Sequence, residues 1–227
     1  MSLRAVLFDA GNTLVHLDYP RLAKGVGAAT GVPLTAERLM ARAGEAAALL
    51  EGGHNTDRER ATRYLEQLFL LAGVPAAQTG LVRDTLLGLH REQHLWSGVD
   101  PNTGAALDRL LGAGLRLGVV SNSDGRADEA LIAADLRRRF EFVVDSQLVG
   151  FEKPDPRIFQ FAFERLGLGR EEVLYVGDLY EVDVVGARRA GMDVILLDPL
   201  GKHRERDVRT AASIAEVAEM LLQSTTV

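Results

Sequence analysis

The chain contains no cysteine, which removes disulfides, thiolate zinc sites, iron–sulfur clusters and cysteine nucleophiles together. Any catalysis must use oxygen, nitrogen or metal chemistry. No run of 18 apolar residues occurs, so no membrane-spanning helix is expected. The apolar stretch ahead of Asp9 is too brief for a signal peptide. The expectations are a cytoplasmic location and no membrane partner. Basic excess is also lacking: 26 Lys and Arg face 32 Asp and Glu, a formal charge of -6. That argues against nucleic-acid binding, which needs a basic face to neutralise phosphates. Lysine itself is scarce, three against 23 arginines, so a lysine at a motif position carries more weight. What remains is ordinary globular composition: 227 residues, 47% of them hydrophobic, suit one large domain or one domain with a sizeable insertion.

Periodicity divides the chain. Residues 4–8 form a short apolar run that stops at Asp9 and Gly11, the pattern of a strand buried on both faces. From Tyr19 to about Trp96 the spacing is helical, with breaks at Gly31–Pro33, at residues 52–56 and at Gly73–Pro75. This predicts four helices and no strands. After Val99-Asp100-Pro101 helices and strands alternate, with strands expected at 115–120, 142–144, 173–176 and 194–197. Repeated units of this kind predict an α/β fold: a doubly wound, Rossmann-like parallel sheet carrying an inserted all-α helical domain. Residues 1–14 and 98–227 are the expected α/β core and residues 15–97 the helical insertion. The insertion holds nine acids and nine bases, which leaves the whole net charge on the core.

In an open parallel sheet, ligands bind beyond the carboxyl ends of the strands. Those ends are polar here: Asp9 after the first strand, Ser121 and Asn122 after the second, and Gly177-Asp178 with Asp183 after the fourth. Lys153 lies between the last two. Singly, each has a bland alternative, Asp9 as a turn residue, Ser121 as a helix cap and Asp178 with Asp183 as helix-start acids. Jointly they put one lysine and three carboxylates on one edge. Crowded carboxylates call for a cation, and Mg²⁺ is the hard divalent ion suited to oxygen ligands. Such a site can hold a phosphoryl group while a carboxylate attacks phosphorus, with backbone amides near residues 10–13 and the Ser121 hydroxyl as further donors.

These segments resemble the four motifs of the haloacid dehalogenase-like hydrolases: Leu7-Phe8-Asp9-Ala10-Gly11-Asn12-Thr13-Leu14, Val120-Ser121-Asn122, Glu152-Lys153-Pro154, and Val176-Gly177-Asp178 through Asp183. They occur in the family's order. The resemblance implies an inserted helical cap that selects substrate and Asp9 as a nucleophile forming an aspartyl-phosphate. It implies Mg²⁺ held by Asp9, Asp178, Asp183 and the Gly11 carbonyl. Ser121 and Lys153 are the other implied catalytic residues, and Asn122, Asn12 and Thr13 complete the expected substrate contacts. The implied partner is a small phosphorylated substrate, acted on by a monomer or homodimer.

One position departs from the phosphatase pattern. The family's phosphatases carry a second Asp, a general acid and base, where this chain has Gly11. Loss of such a group typically costs ~10²- to 10⁴-fold in rate. His16 and Asp18 are the nearest substitutes in sequence. The same departure opens three alternatives: a dehalogenase of 2-haloacids, a phosphonate hydrolase using Lys24, or a binding protein with little turnover.

Overall fold

The computed structural model describes residues 3–49 and 57–223; the expected break at 52–56 and the tail beyond Gln223 lie outside them. In chain order the elements are β1 (Ala5–Phe8), β2 (His16–Leu17), α1 (Tyr19–Thr30), α2 (Ala36–Ala48), α3 (Asp57–Leu71), α4 (Thr79–Glu92) and β3 (Trp96–Gly98). There follow α5 (Thr103–Gly112), β4 (Arg116–Ser121), α6 (Ala127–Ala133), β5 (Phe142–Asp145), α7 (Ser146–Val149) and α8 (Arg157–Leu166). The chain then forms β6 (Val173–Gly177), a π-helical turn at Tyr180–Val184, α9 (Val185–Ala190), β7 (Asp193–Leu197), β8 (Arg209–Ala211) and α10 (Ile214–Gln223).

Six strands form a sheet in the order β5-β4-β1-β6-β7-β8, every pair parallel. β1 is fully buried along its length, as a central parallel strand must be when helices cover both faces. On one face Leu7, Val120 and Tyr175 pack against Ile158, Phe159 and Ala162 of α8 and Ala187 of α9. Elsewhere α10 packs on α5. From β1 the chain winds outward through β4 and β5, then returns to the other side of β1 as β6. The order in which strands are added therefore reverses between β1 and β6, the place where such sheets open a crevice.

Contacts divide the chain into two compact units, Met1–His16 with Val99–Val227, and Leu17–Gly98. The second is helical, and its core joins Leu22 and Val26 of α1 to Leu39 of α2, Leu68 and Phe69 of α3 and Val82 and Leu86 of α4. Asp18 caps α1 by accepting from the Arg21 backbone N–H at 3.0 Å, and Gly31 ends it in the left-handed region, φ 72°. The Arg21 guanidinium donates to the carbonyls of Leu89 (3.0 Å), Gln93 (2.8 Å) and His94 (2.9 Å). It thereby ties off the carboxyl end of α4, where unpaired carbonyls accumulate.

The reading that residues 19–96 hold no strand needs correction at one point: Trp96 opens β3, which pairs with β2 in a separate two-stranded sheet. Strands of two and three residues are too short for any periodicity to register. β8, α7 and α10 likewise had no individual forecast. Leu7→Ala should remove a fully buried side chain from the central strand at a cost of ~3 kcal/mol. For a chain of this size that lowers the thermal midpoint by about 6–12 °C, and calorimetry checks it.

Candidate active site

The parallel register brings the strand ends into line. Phe8 is level with Val119 of β4 and Val176 of β6, so Asp9, Ser121 and Gly177-Asp178 emerge at the same edge. The Asp9 backbone N–H donates to the Val176 carbonyl at 2.8 Å, which seats the carboxylate beside the β1–β6 reversal.

Lys153 reaches this edge from the segment after α7. Its buried Nζ donates to Asp9 Oδ1 at 2.6 Å and to Asp183 Oδ1 at 2.8 Å. Asp183 is buried as well, and its Oδ2 accepts the backbone N–H groups of Asp178 (3.1 Å) and Leu179 (2.9 Å). That carboxylate thus shapes the turn after β6 while it holds the lysine. The turn explains Gly177: a Cβ there would lie 2.6 Å from Asp183 Oδ2, closer than real Cβ contacts allow.

Electrostatics single out the cluster. Burial, and beyond it the Asp183 charge, push the Asp9 carboxyl up to about 6 against the pull of Lys153. The Asp178 carboxyl is raised well above the usual carboxylate range by burial and by the charges of Asp183 and Asp9. Burial works against the Lys153 ammonium, but Asp183 and Asp9 outweigh it and hold the lysine above its ordinary value. Three carboxylates with one ammonium leave an excess of negative charge in a dry place. Asp9, Asp178 and Asp183 each offer an oxygen, all within 4.8 Å of one another. A hard, oxygen-seeking divalent cation fits this donor set and charge.

The other expected residues fall into distinct settings. Ser121 is buried, and its hydroxyl makes only a long 3.5 Å contact with the Asn122 carbonyl. Thr13 is buried with no hydrogen-bond partner for its hydroxyl, and an orphaned buried hydroxyl marks a place where a ligand or water can bind. Asn12 takes a left-handed conformation, φ 55°, and its backbone N–H donates to Val15 O at 2.7 Å. Gly11 bridges to Val15 in the same tight turn. Asn122 clamps the backbone of Lys153 from both sides, its amide donating to Lys153 O at 2.9 Å and accepting from Lys153 N at 2.7 Å.

Of the two substitutes for the missing acid, Asp18 is engaged as the α1 cap and lies 3.6 Å from Arg21 Nε. His16 is half-buried, and burial lowers its pKa against the opposing charge of Asp100, which keeps the ring neutral near pH 7. Two contributors went unread in the sequence. Asp145 accepts from the backbone N–H groups of Gly125 (3.1 Å) and Ala127 (3.1 Å), fixing the loop that follows Asn122. Tyr175 places its hydroxyl 2.8 Å from Lys153 Nζ. Tyr175 sits in a strand where it reads as a packing residue, and Asp145, just past the expected strand 142–144, belongs to none of the four motifs.

The profile of the haloacid dehalogenase-like hydrolases matches residues 3–191. The chain belongs to this family. The hydrolase is 34% identical over 215 residues to a glyceraldehyde 3-phosphate phosphatase of Methanothermobacter thermautotrophicus, covering 90% of each chain. It is 30% identical to a phosphatase of Mycobacterium tuberculosis over 96% of its own length and 98% of the relative's. In fold it matches a HAD-hydrolase of Bacillus subtilis that is bound to magnesium, with a TM-score of 0.71 at 22% identity, covering 98% of this chain and all of that one.

Two expectations follow from the geometry of this hydrolase. Gly177→Ala should displace the Asp183 carboxylate, and with it the turn and Lys153; hydrolytic rate should fall at least ~10²-fold while circular dichroism stays near wild type. The second concerns pH. Folding raises the Asp9 pKa from 3.8 to about 6, so the folded protein binds that proton more tightly than the unfolded chain. The resulting stability is present below about pH 4 and is lost as pH rises through about 6. In EDTA, Asp9→Asn should therefore melt above wild type at pH 7.5, with the gap closing toward pH 4. A gap that does not change with pH would contradict the assignment.

Proposed function

We propose that this hydrolase is a Mg²⁺-dependent phosphatase of a small phosphorylated metabolite, with Asp9 as nucleophile. The observation that carries the reading is the trio Asp9, Asp178 and Asp183, whose ligand oxygens lie within 4.8 Å of one another, with the Lys153 ammonium paired to Asp9 and Asp183. The two relatives named as phosphatases support it, and the name of one puts glyceraldehyde 3-phosphate and similar short esters first among substrates to test. The helical unit Leu17–Gly98 is assigned the role of substrate-selecting cap.

Asp9, Asp178 and Asp183, with the Gly11 carbonyl, would hold Mg²⁺, which when bound supplies Lewis-acid neutralisation of phosphoryl charge. Asp9 Oδ1 carries the Lys153 hydrogen bond, so Oδ2 is assigned as the attacking oxygen. It bonds to phosphorus as the bond from phosphorus to the ester oxygen breaks, leaving an aspartyl-phosphate and an alkoxide that takes a proton from water. A second water then cleaves the aspartyl-phosphate, returning the Asp9 carboxylate, inorganic phosphate and a proton. Ser121 donates to the phosphoryl oxygens, the Lys153 ammonium beside Asp9 neutralises phosphoryl charge while its three N–H groups stay on Asp9, Asp183 and Tyr175, and Thr13, with its unmatched hydroxyl, stands ready as a further donor. Asn122 holds the Lys153 backbone in place, and Asn12 shapes the turn that carries the residue 10–13 amides.

The test is phosphate release from a panel of triose, sugar and nucleotide esters, phosphoglycolate and an activated aryl phosphate. Release should require Mg²⁺, vanish in EDTA, and fall at least ~10³-fold in Asp9→Asn. Metal-independent halide release from 2-haloacids, with no phosphate release, would replace this reading by dehalogenation.

Gly11→Asp separates a phosphatase short of one group from a protein built for other chemistry. Supplying the missing acid should raise kcat for alkyl esters by about 10- to 100-fold. The gain should be much smaller for the activated aryl ester, whose leaving group needs no proton. An equal effect on both esters would refute the acid's role.

A further inference from the structure

A lysine ammonium has three N–H donors, and three acceptors of this chain face Lys153 Nζ. Two are Asp9 Oδ1 and Asp183 Oδ1, at 2.6 and 2.8 Å. The third is the Tyr175 hydroxyl, at 2.8 Å. Tyr175 lies inside β6 with its side chain fully buried. Its ring meets Phe159 edge-on, with centroids 5.1 Å apart at 85°. The hydroxyl also lies 2.9 Å from the Val120 carbonyl oxygen and 3.2 Å from Asp183 Oδ1.

A phenol has one proton to give. With that proton on the nearer acceptor, the Val120 carbonyl, the lone pairs of the hydroxyl oxygen are left for the ammonium. The hydroxyl therefore completes the shell of Lys153 without adding a fourth negative charge to a site that already carries three carboxylates. It also links the lysine to the end of β4, because Val120 immediately precedes Ser121. Burial, with the Asp183 and Asp9 charges, keeps the phenol proton in place by raising its pKa well above 10. A phenylalanine here would fill the same space yet leave one ammonium N–H and one carbonyl unpaired.

We propose that Tyr175 is a positioning residue, whose hydroxyl sets the Lys153 ammonium between Asp9 and Asp183 and ties it to the strand end that bears Ser121. The kinetic consequence rests on the phosphatase reading; the placement of the lysine does not. A misplaced ammonium loses its alignment with charge that develops on the phosphoryl group, so the loss falls on kcat rather than on KM.

The experiment compares wild type, Tyr175→Phe and Phe159→Leu, the last disturbing the packing of the Tyr175 ring while keeping its hydroxyl. With only three lysines in the chain, and Lys24 and Lys202 exposed, the ¹⁵N-lysine spectrum should show one ammonium protected from solvent exchange. That exchange should be at least about tenfold faster in Tyr175→Phe and near wild type in Phe159→Leu. Below both melting temperatures, Tyr175→Phe should lose about tenfold or more in kcat with KM within about threefold, while Phe159→Leu keeps kcat within about threefold. Wild-type exchange or kcat in Tyr175→Phe overturns the proposal, as do equal losses in the two variants. A wild-type spectrum with no protected ammonium overturns it before any substitution is made. If Tyr175→Phe frees the ammonium but wild type hydrolyses no phosphate ester, the positioning role holds and the phosphatase reading fails.

Discussion

The site depends on a single buried ammonium. Lys153 Nζ lies within 2.8 Å of both Asp9 and Asp183, and neither carboxylate could otherwise be kept ionised so far from water without a cation beside it. Burial first, and then the crowding that remains, raise the pKa of Asp9 and Asp178. The crowding gives the cluster its appetite for a second positive charge. Lysine suits this place because a compact point charge with three donors can serve three acceptors in three directions, which a planar guanidinium cannot do.

Much of the local structure serves to hold that ammonium still. Asn122 grips the backbone of Lys153 on both sides, so the motif after β4 and the motif after α7 are joined by hydrogen bonds. Asp145 anchors the next stretch of loop through Gly125 and Ala127. Asp183 folds back over Gly177 and fixes the turn after β6. Three separate loops are thus braced against one another at the carboxyl edge of the paired strands β1 and β6. This is second-layer support of the kind that keeps reacting groups in register.

The α/β core was legible because its strands are short apolar runs that stop abruptly at polar residues, and because helices of distinct period lie between them. Asp9, Ser121, Asp178 and Asp183 are legible as candidates from their positions after strand ends, and Lys153 from the motif that lies between them and from the scarcity of lysine. Tyr175 and Asp145 are not. Tyr175 lies within a strand, and a tyrosine among Val173, Leu174 and Val176 reads as core; only the fold reveals that its hydroxyl meets a lysine 22 residues away, and that Asp145, just past the expected strand 142–144, holds the backbone of Gly125 and Ala127. Asn122 was read as a substrate contact because of its place in the motif. The two hydrogen bonds to the Lys153 backbone connect segments 31 residues apart, a pairing that no local spacing encodes. The strands β2 and β3 escaped notice for a simpler reason, since two or three residues show no period.

Gly11 divides the chemistry into a part this chain retains and a part it lacks. In phosphoryl transfer the transition state is loose, and catalysis comes chiefly from positioning and from neutralising charge on the equatorial oxygens. In the proposed mechanism those tasks fall to Lys153, Ser121, the amides of residues 10–13 and the carboxylate cluster. The absent carboxyl would handle protons, giving one to the departing oxygen and taking one from the water that follows. Asp18 cannot take its place while it caps α1, and a neutral His16 has no acidic proton of suitable strength near pH 7. The proton then has to come from water, and a poor leaving group suffers from that far more than a good one. On this reasoning the proposed phosphatase would select esters by the acidity of the alcohol they release as well as by shape. That chemical filter is set by one missing side chain rather than by any pocket.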